Sequence, residues 1–199
     1  MARPGWRPHT PLPESRAEVA AIAALYSPKA VAYLGADATE ERAASIGPDV
    51  PLIHYACHAL VNERFPLDSA LVFTIPDKPR KGQDNGLLQA WEIFERMHID
   101  ADLVTLSACE SGLGKEMAGE GLIGLTRAFQ YAGACSVLSS LWKVDDKATA
   151  ELMKRFYGYL KAGRPKDEAL RLAQVDLIRS ADFSQPRDWA AFQLNGDWK

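Results

Sequence analysis

The stretch Asp102–Gly112 reads DLVTLSACESG. It is mostly apolar before Cys109, and polar and glycine-containing after it. Residues 101–108 read ADLVTLSA and contain the apolar residues Leu103, Val104 and Leu106, which predicts a buried strand of a parallel sheet. From Glu110 to Gly119 the chain carries three glycines, which predicts a loop. Cys109 is therefore predicted to lie at the carboxyl end of a buried strand.

Working outward from this strand, apolar periodicity and turn residues predict an alternation of strands and helices. Further strands are predicted at 30–34, 51–57, 70–74, 134–142 and 189–194, and helices at 13–26, 39–46, 86–97, 121–131 and 165–180. One more long helix, capped by Asp145 or Asp146, is predicted to run through Ala162. The turn 77–85 is rich in charge, Pro and Gly. This order predicts an α/β fold with a largely parallel sheet. Residues 1–11, which are rich in proline, are predicted to be an irregular lead-in to a domain at 12–199.

The composition narrows the function classes. Hydrophobic residues make up 47% of the 199 residues, enough for a sizeable core, and the net charge of -3 gives no reason to expect nucleic acid as a partner. The longest apolar runs are too short to cross a membrane, and the N-terminus lacks the apolar segment of a secretion signal. Three cysteines argue against a disulfide framework. A cytoplasmic location is therefore predicted.

A histidine and a cysteine each come directly after a predicted strand. His58 comes directly after the strand at 51–57, as Cys109 does after its own strand, and active sites of parallel sheets lie at the carboxyl ends of strands. A thiol needs a base or a positive field to become a nucleophile, so a Cys–His pair is one interpretation. The alternative is that both residues are ordinary core, as most strand-end cysteines are.

The remaining candidates favour structural roles. His54 is predicted to be packed or hydrogen-bonded, and His98 to be solvated. Cys57 is predicted to point away from the face of His58, whereas Cys135 and Trp142 are predicted to be core residues. No metal-ligand spacing and no phosphate-binding glycine loop is present, so no metal and no cofactor is predicted.

Six segments, in order from about Leu12 to Asp197, resemble the motifs of the CHAT domain family, whose proteases belong with caspases, separases and gingipains. They are LPESRAEV with LGADAT (12–19 and 34–39), IHYACHA (53–59), PLDSAL (66–71), DLVTLSACESG (102–112), SLWKVDDKAT (140–149) and WAAFQLNGD (189–197). The resemblance implies a caspase-like α/β/α sandwich. It also implies that upstream strands and helices usually precede the first of these segments, so the expectation is a domain lacking that upstream half.

By this resemblance His58 is the dyad histidine and Cys109 the nucleophile, and the oxyanion meets the backbone N–H groups of Cys109 and Ala59. Asp146 aligns with an acidic residue that binds a basic side chain before the scissile bond. Either Asp145 or Asp146 serves in this way, or as the N-cap of the helix that follows. The chain departs from the family at Ala59, where glycine is usual, and at Cys57, where threonine is usual.

The predicted function is hydrolysis of peptide bonds through a thioacyl-enzyme on Cys109, with His58 as the acid–base partner and a basic residue preferred before the scissile bond. Its partners would be a protein or peptide substrate and a regulatory protein chain or domain, with no membrane and no nucleic acid. The alternative is an inactive protein-interaction module of the same fold, or one part of a regulated multi-domain or multi-chain protease.

Overall fold

The computed structural model describes residues 12–74, 85–107, 109–110 and 120–199. The predicted lead-in 1–11 and nearly all of the predicted loops 77–85 and 110–119 lie outside these residues. The strands are β1 (Leu52–Tyr55), β2 (His58–Leu60), β3 (Ala70–Val72), β4 (Leu87–Gln89), β5 (Leu103–Leu106), β6 (Cys109–Glu110), β7 (Ser136–Ser140) and β8 (Phe192–Gly196). The helices are α1 (Pro13–Tyr26), α2 (Glu40–Ala44), α3 (Ala90–Arg96), α4 (Glu120–Tyr131), α5 (Asp146–Lys161), α6 (Lys166–Ile178) and α7 (Pro186–Trp189).

The central sheet has the strand order β1-β5-β7-β8. β1 pairs parallel with β5, β5 pairs parallel with β7, and β8 closes the sheet antiparallel to β7. Every residue of β5 and of β7 is buried, as continuous apolar strands in such sheets require. The predicted α/β class with a mostly parallel central sheet is confirmed.

Two apolar cores lie against this sheet, because successive strand residues alternate between its faces. Val104 and Leu106 join the core that contains α3 and α4. Leu103 joins the other core, which contains α1, α5 and α6. Helices therefore cover both faces, which is the predicted α/β/α arrangement.

A second, smaller sheet with the order β4-β3-β2-β6 lies beside the first. β2 pairs antiparallel with β3 and parallel with β6, while β3 pairs antiparallel with β4. The buried carboxylate of Glu40 fixes the start of β4, since its Oε2 accepts backbone N–H groups of Asn85, Gly86 and Leu87 at 2.8–3.1 Å.

The small sheet corrects two predicted elements. The predicted strand 51–57 is divided, because β1 ends at Tyr55 and His58 begins β2. The predicted helix 86–97 starts with a strand, β4, before α3 begins at Ala90. The prediction of a strand at 30–34 is also wrong. These residues form no strand ladder, and Val31 is 74% exposed. Tertiary pairing, which local periodicity does not report, decides all three cases.

The buried stripe of α3 also differs from prediction. The periodicity of the predicted helix 86–97 places Leu87, Trp91 and Phe94 on one stripe, but Phe94 is 42% exposed and stacks on Tyr131 with ring centroids 3.8 Å apart. The core is filled instead by Ala90, Ile93 and Met97. Because α3 begins only at Ala90, Leu87 lies in β4 and does not share a helical stripe with Trp91 and Phe94.

The bounds of several helices agree more closely with the prediction. α1 has the predicted bounds, and Thr39 caps α2 through a hydrogen bond from Arg42 N. α6 begins one residue after Pro165. The predicted strand 189–194 is in part the short helix α7, and β8 starts only at Phe192. Within the described residues, no helix has the length and apolar character needed to cross a bilayer.

Candidate active site

The site lies at the carboxyl end of the central sheet, where the small sheet begins. Three residues separate the end of β5 from Glu110 of β6, and two separate the end of β1 from His58 at the start of β2. β2 and β6 pair in parallel, with His58 opposite Cys109 and Ala59 opposite Glu110. Since adjacent strands lie about 5 Å apart, the backbones of His58 and Cys109 are immediate neighbours. Two residues separated by 50 positions of sequence are thus brought together by strand pairing.

His58 is half-buried, and it stands in the first register position of β2. On its other side it is paired with Val72 of β3. The description of Cys109 is confined to its backbone in β6. The pairing of β2 with β6 holds the backbones of these two residues next to one another.

Ala59 is fully buried in the middle of β2, between β3 and β6. A central strand has ladder partners for its backbone groups on both sides. The predicted oxyanion donor therefore lies in a position from which its N–H would have to be released before it could meet a substrate. Its methyl group belongs to the core around Tyr55 and Phe129.

The other two thiols are different from each other. Cys57 is half-buried and packs on the core of α3 and α4, and desolvation raises its pKa to about 12 although the backbone of Val72 supplies an opposing hydrogen bond. It is therefore a protonated thiol at neutral pH and a poor nucleophile. Cys135, predicted to be core, is exposed because β7 begins one residue after it.

The two neighbouring aspartates have separate positions. Asp145 is the N-cap of α5, and its Oδ1 accepts the backbone N–H groups of Lys147 and Ala148 at 3.0 and 3.3 Å. Asp146 is the first helical residue, is half-buried, and lines a small cavity. The capping role that the sequence left open between them is filled by Asp145.

This small cavity, hereafter the acidic cavity, lies between the first turns of α1 and α5 and the end of β5. Its volume is about 10 Å³, which is the space of about one water molecule. The described residues that line it are Leu12, Ser15, Glu18, Ser107, Asp146 and Thr149. Ser107 Oγ and Thr149 Oγ1 are buried and have no hydrogen-bond partner among the described residues.

Behind the acidic cavity runs a chain of buried hydrogen bonds. Glu18, which is 4% exposed, lies 2.7 Å from His54 Nε2 through its Oε1. His54 Nδ1 lies 3.1 Å from the hydroxyl of Tyr157, and that hydroxyl donates to Thr105 Oγ1 at 2.8 Å. Burial raises the pKa of Tyr157. The prediction that His54 is packed and hydrogen-bonded is confirmed.

A larger cleft of about 380 Å³ lies on the outer side of Asp145. Its other described lining residues are Lys143, Asp182, Phe183, Arg187 and Asp188. Trp142, predicted to be core, is 41% exposed beside it, and its Nε1 donates to the backbone oxygen of Arg187 at 3.3 Å. The cleft carries both signs of charge, and its walls come from the β7–α5 connection and from the segment around α7.

Sequence reasoning missed Glu18, Ser107 and Thr149 as members of the site. All three lie within the quoted motif segments, yet each looked like a helix or strand residue with no chemistry of its own. Among the described residues, no group of three or more His, Cys, Asp or Glu side chains is placed to hold a metal ion.

Comparison with known proteins supports the same segments. A family model described as the CHAT domain matches residues 3–197. Tetratricopeptide repeat protein 28 of Mus musculus is 30% identical over 214 aligned residues, which include 94% of this chain and 9% of the mouse protein. The Homo sapiens protein of the same name is also 30% identical, and the alignment covers 8% of its length. The chain thus spans less than a tenth of the relatives that it matches.

Proposed function

This chain belongs to the CHAT domain family, and we propose that it is a cysteine endopeptidase domain in which Cys109 is the nucleophile and His58 the acid–base partner. The observation that carries the proposal is the parallel register of β2 and β6, which makes His58 and Cys109 direct neighbours. A cysteine and a histidine that are paired at the open end of a parallel sheet supply the components for acyl transfer.

The chemistry divides peptide hydrolysis into two steps. The Cys109 thiolate attacks the scissile carbonyl, and His58 gives a proton to the departing amine, which leaves a thioester on Cys109. His58 then takes a proton from water as the water attacks the thioester, which frees the acid and regenerates the Cys109 thiolate and the protonated His58. The backbone N–H group of Cys109 and, once released from the β2 ladder, that of Ala59 are the proposed donors to the oxyanion.

Of the described thiols, neither competes for the nucleophile's role on physical grounds. Cys57 is held protonated by burial. Cys135 is exposed at the start of β7, at the opposite end of that strand from the site. We also propose that Asp146 contacts a basic side chain before the scissile bond, since Asp145 already serves as the helix cap.

The deciding experiment compares the unaltered chain with Cys109→Ala and, as a matched control, Cys135→Ala. Each is incubated with a denatured protein mixture, and new termini are identified by mass spectrometry. The expected result is that Cys109→Ala removes cleavage while Cys135→Ala leaves it unchanged. Cleavage that survives in Cys109→Ala overturns the proposal.

A second candidate function is favoured by the position of Ala59. Because β2 is paired on both sides, its backbone N–H is not presented to an open cleft. This arrangement suits a domain that binds a partner without cleaving it, or a protease that a partner chain must switch on. The relatives are named for tetratricopeptide repeats. The two functions are separated by treating the chain with a peptidyl chloromethyl ketone, since only a peptidase with a formed site would be alkylated at Cys109.

A further inference from the structure

Residues 30–34, which read Ala-Val-Ala-Tyr-Leu, have the composition of a strand and lie exposed. The segment contains no turn or bend, and Val31 and Tyr33 are 74% and 49% exposed. Within the part of the chain that the structure describes, the N–H groups of residues 31–34 make no backbone hydrogen bond. A row of open backbone groups is a template for pairing with another strand. The segment can therefore form a ladder, but it has no ladder partner among the described residues of its own chain.

Contacts at both ends place this segment alongside α1. The backbone oxygen of Tyr26 accepts the N–H group of Lys29 at 3.0 Å, which turns the chain back at the end of the helix. At the other end, Gly35 lies against the guanidinium of Arg16, since a Cβ on Gly35 would be 3.6 Å from Arg16 Nη2. The helix rises about 15 Å between Arg16 and Tyr26, and five residues of extended chain span about 17 Å. Segment 30–34 thus runs along the side of α1 in the opposite direction.

The outward face of α1 is apolar as well. Ala17, Ala20 and Ala24 are exposed and share one face of the helix, where a surface helix ordinarily carries charged or polar side chains. From Ala17 to the end of the helix the only charged residue is Glu18, which is buried. These three alanines and segment 30–34 together form an uncharged surface, hereafter the α1 surface.

The order of side chains in segment 30–34 makes it complementary to itself. When two copies pair antiparallel about an axis at Ala32, Val31 of each copy lies opposite Tyr33 of the other, and Ala30 lies opposite Leu34. Pairs of a β-branched and an aromatic side chain are among the favourable cross-strand pairs. The same pairing supplies carbonyl acceptors for the N–H groups of each segment that face the other copy. A second copy therefore matches both the side chains and the open backbone of this segment.

Charges at the two ends of the segment favour the antiparallel direction. Lys29 precedes the segment and Asp37 follows it, and both side chains are exposed. Antiparallel pairing brings Lys29 of one copy to the end at which Asp37 of the other copy lies, whereas parallel pairing would place lysine beside lysine. Asp37 pairs with Arg42 of its own chain at 2.9 Å in an exposed position, which leaves space for a second cation. Opposite charges therefore meet at both ends of a two-fold ladder.

We infer that the α1 surface is an interface between two copies of this chain, in which segment 30–34 pairs antiparallel with the same segment of the second copy. The inference goes beyond the proposed peptidase function and does not rest on it. The α1 surface is about 20 Å long and about 15 Å wide. Interfaces that bury less than about 1,200 Å² in total belong to weak complexes, so a reversible dimer with a dissociation constant below about 100 μM is expected.

Sedimentation velocity measures the association directly. The unaltered chain is expected to pass from monomer to dimer between about 1 μM and about 500 μM. Val31→Asp brings two carboxylates into the uncharged ladder and is expected to weaken the dimer by about 10-fold or more. Since Val31 is largely exposed, the variant should fold as before, which circular dichroism checks. Ile123→Asp, at an exposed position of α4 on the other face of the central sheet, is the matched control and should retain the dimer.

Cross-linking tests the register of the ladder. In a Cys109→Ala, Cys135→Ser background, Ala32→Cys places two thiols opposite one another at the axis, where the Cα separation of about 5 Å suits a disulfide. Oxidised glutathione should therefore convert this variant to a covalent dimer. Ala30→Cys is the control, because two residues at position 30 lie about 13 Å apart along the ladder and should not be linked.

The outcomes decide between a second copy and other occupants. A chain that stays monomeric up to about 500 μM overturns the inference and leaves the α1 surface for a segment of another protein. A dimer that Val31→Asp retains, or equal cross-linking of Ala32→Cys and Ala30→Cys, also overturns it. A dimer that Val31→Asp weakens and Ala32→Cys selectively traps supports it. Cys109-dependent cleavage is measured separately, so failure of the peptidase proposal does not alter this result.

Discussion

His54 and His58 lie four residues apart, and the molecule holds them in opposite ways. His54 is fixed by side chains on the α1 and α5 face of the central sheet, between Glu18 and Tyr157. His58 is positioned by backbone pairing, between Val72 of β3 and Cys109 of β6. The first arrangement locks a helix onto a sheet, and the second pairs the backbone of a histidine with that of a cysteine. His54 therefore serves stability, whereas the chemistry proposed above is assigned to His58.

The largest expected effect comes from removing the second histidine. His58→Ala should lower kcat/KM by about 10⁴-fold or more, because an acyl-transfer dyad loses nearly all of its activity with either member. The free energy of unfolding should change by about 1 kcal/mol or less, since the half-buried side chain is not part of either apolar core. Peptide cleavage and urea denaturation measure the two effects. His98→Ala, at an exposed position, is the control. A large loss of stability in His58→Ala would contradict the division of roles.

A smaller effect, on stability rather than on activity, is expected from the buried hydrogen bonds around His54. Tyr157→Phe removes the hydroxyl that links His54 to Thr105 and leaves the ring in its core. The free energy of unfolding should fall by about 1–3 kcal/mol, because two buried polar partners lose a hydrogen bond. The measurement is urea denaturation.

The matched control for this change is Tyr159→Phe on the same helix. Its hydroxyl donates to Asp176 Oδ2 at 2.7 Å, at a partly buried position where water can replace the lost partner. The loss of stability should therefore be smaller than in Tyr157→Phe. If the two variants lose the same free energy, the buried chain from Glu18 to Thr105 has no special contribution.

The two histidines also mark how far the sequence could lead. Buried strands such as Leu103–Leu106 can be predicted from their apolar composition. The end of this strand indicated that Cys109 lies at the carboxyl end of the central sheet. Helix bounds followed from caps and proline, as at Pro13 and Thr39. The position of His58 directly after its predicted strand distinguished it from His54 within that strand, and the family motifs indicated the same histidine.

What the sequence left undetermined depends on pairing between distant segments. Strands of two or three residues, such as β2 and β6, are too short to show a period, so the ladder that joins His58 to Cys109 has no local signature. The run 30–34 has the composition of a strand but no ladder partner, and it stays exposed. Glu18 was invisible for a related reason. A carboxylate on a helix is ordinarily solvated, and only the packing of α1 against α5 and β1 buries it.

The smallest expected effect concerns Cys57, which lies between the two histidines. Burial raises the pKa of its thiol from 9.0 to about 12 in the folded protein, so between these values the unfolded chain has lost a proton that the folded chain keeps. The folded state therefore loses stability as the pH rises from about 9 toward 12. Cys57→Thr removes this ionisation, and its urea midpoint should decline less steeply between pH 8 and pH 10.5 than that of the unaltered chain.

Cys135→Ser, at an exposed position, provides the control and should keep the original slope. Part of the decline should persist in Cys57→Thr, because burial also raises the pKa of Tyr55 and Tyr157. Identical slopes in Cys57→Thr and the unaltered chain would mean that the thiol is open to solvent, and the contrast between a shielded Cys57 and a reactive Cys109 would then fail.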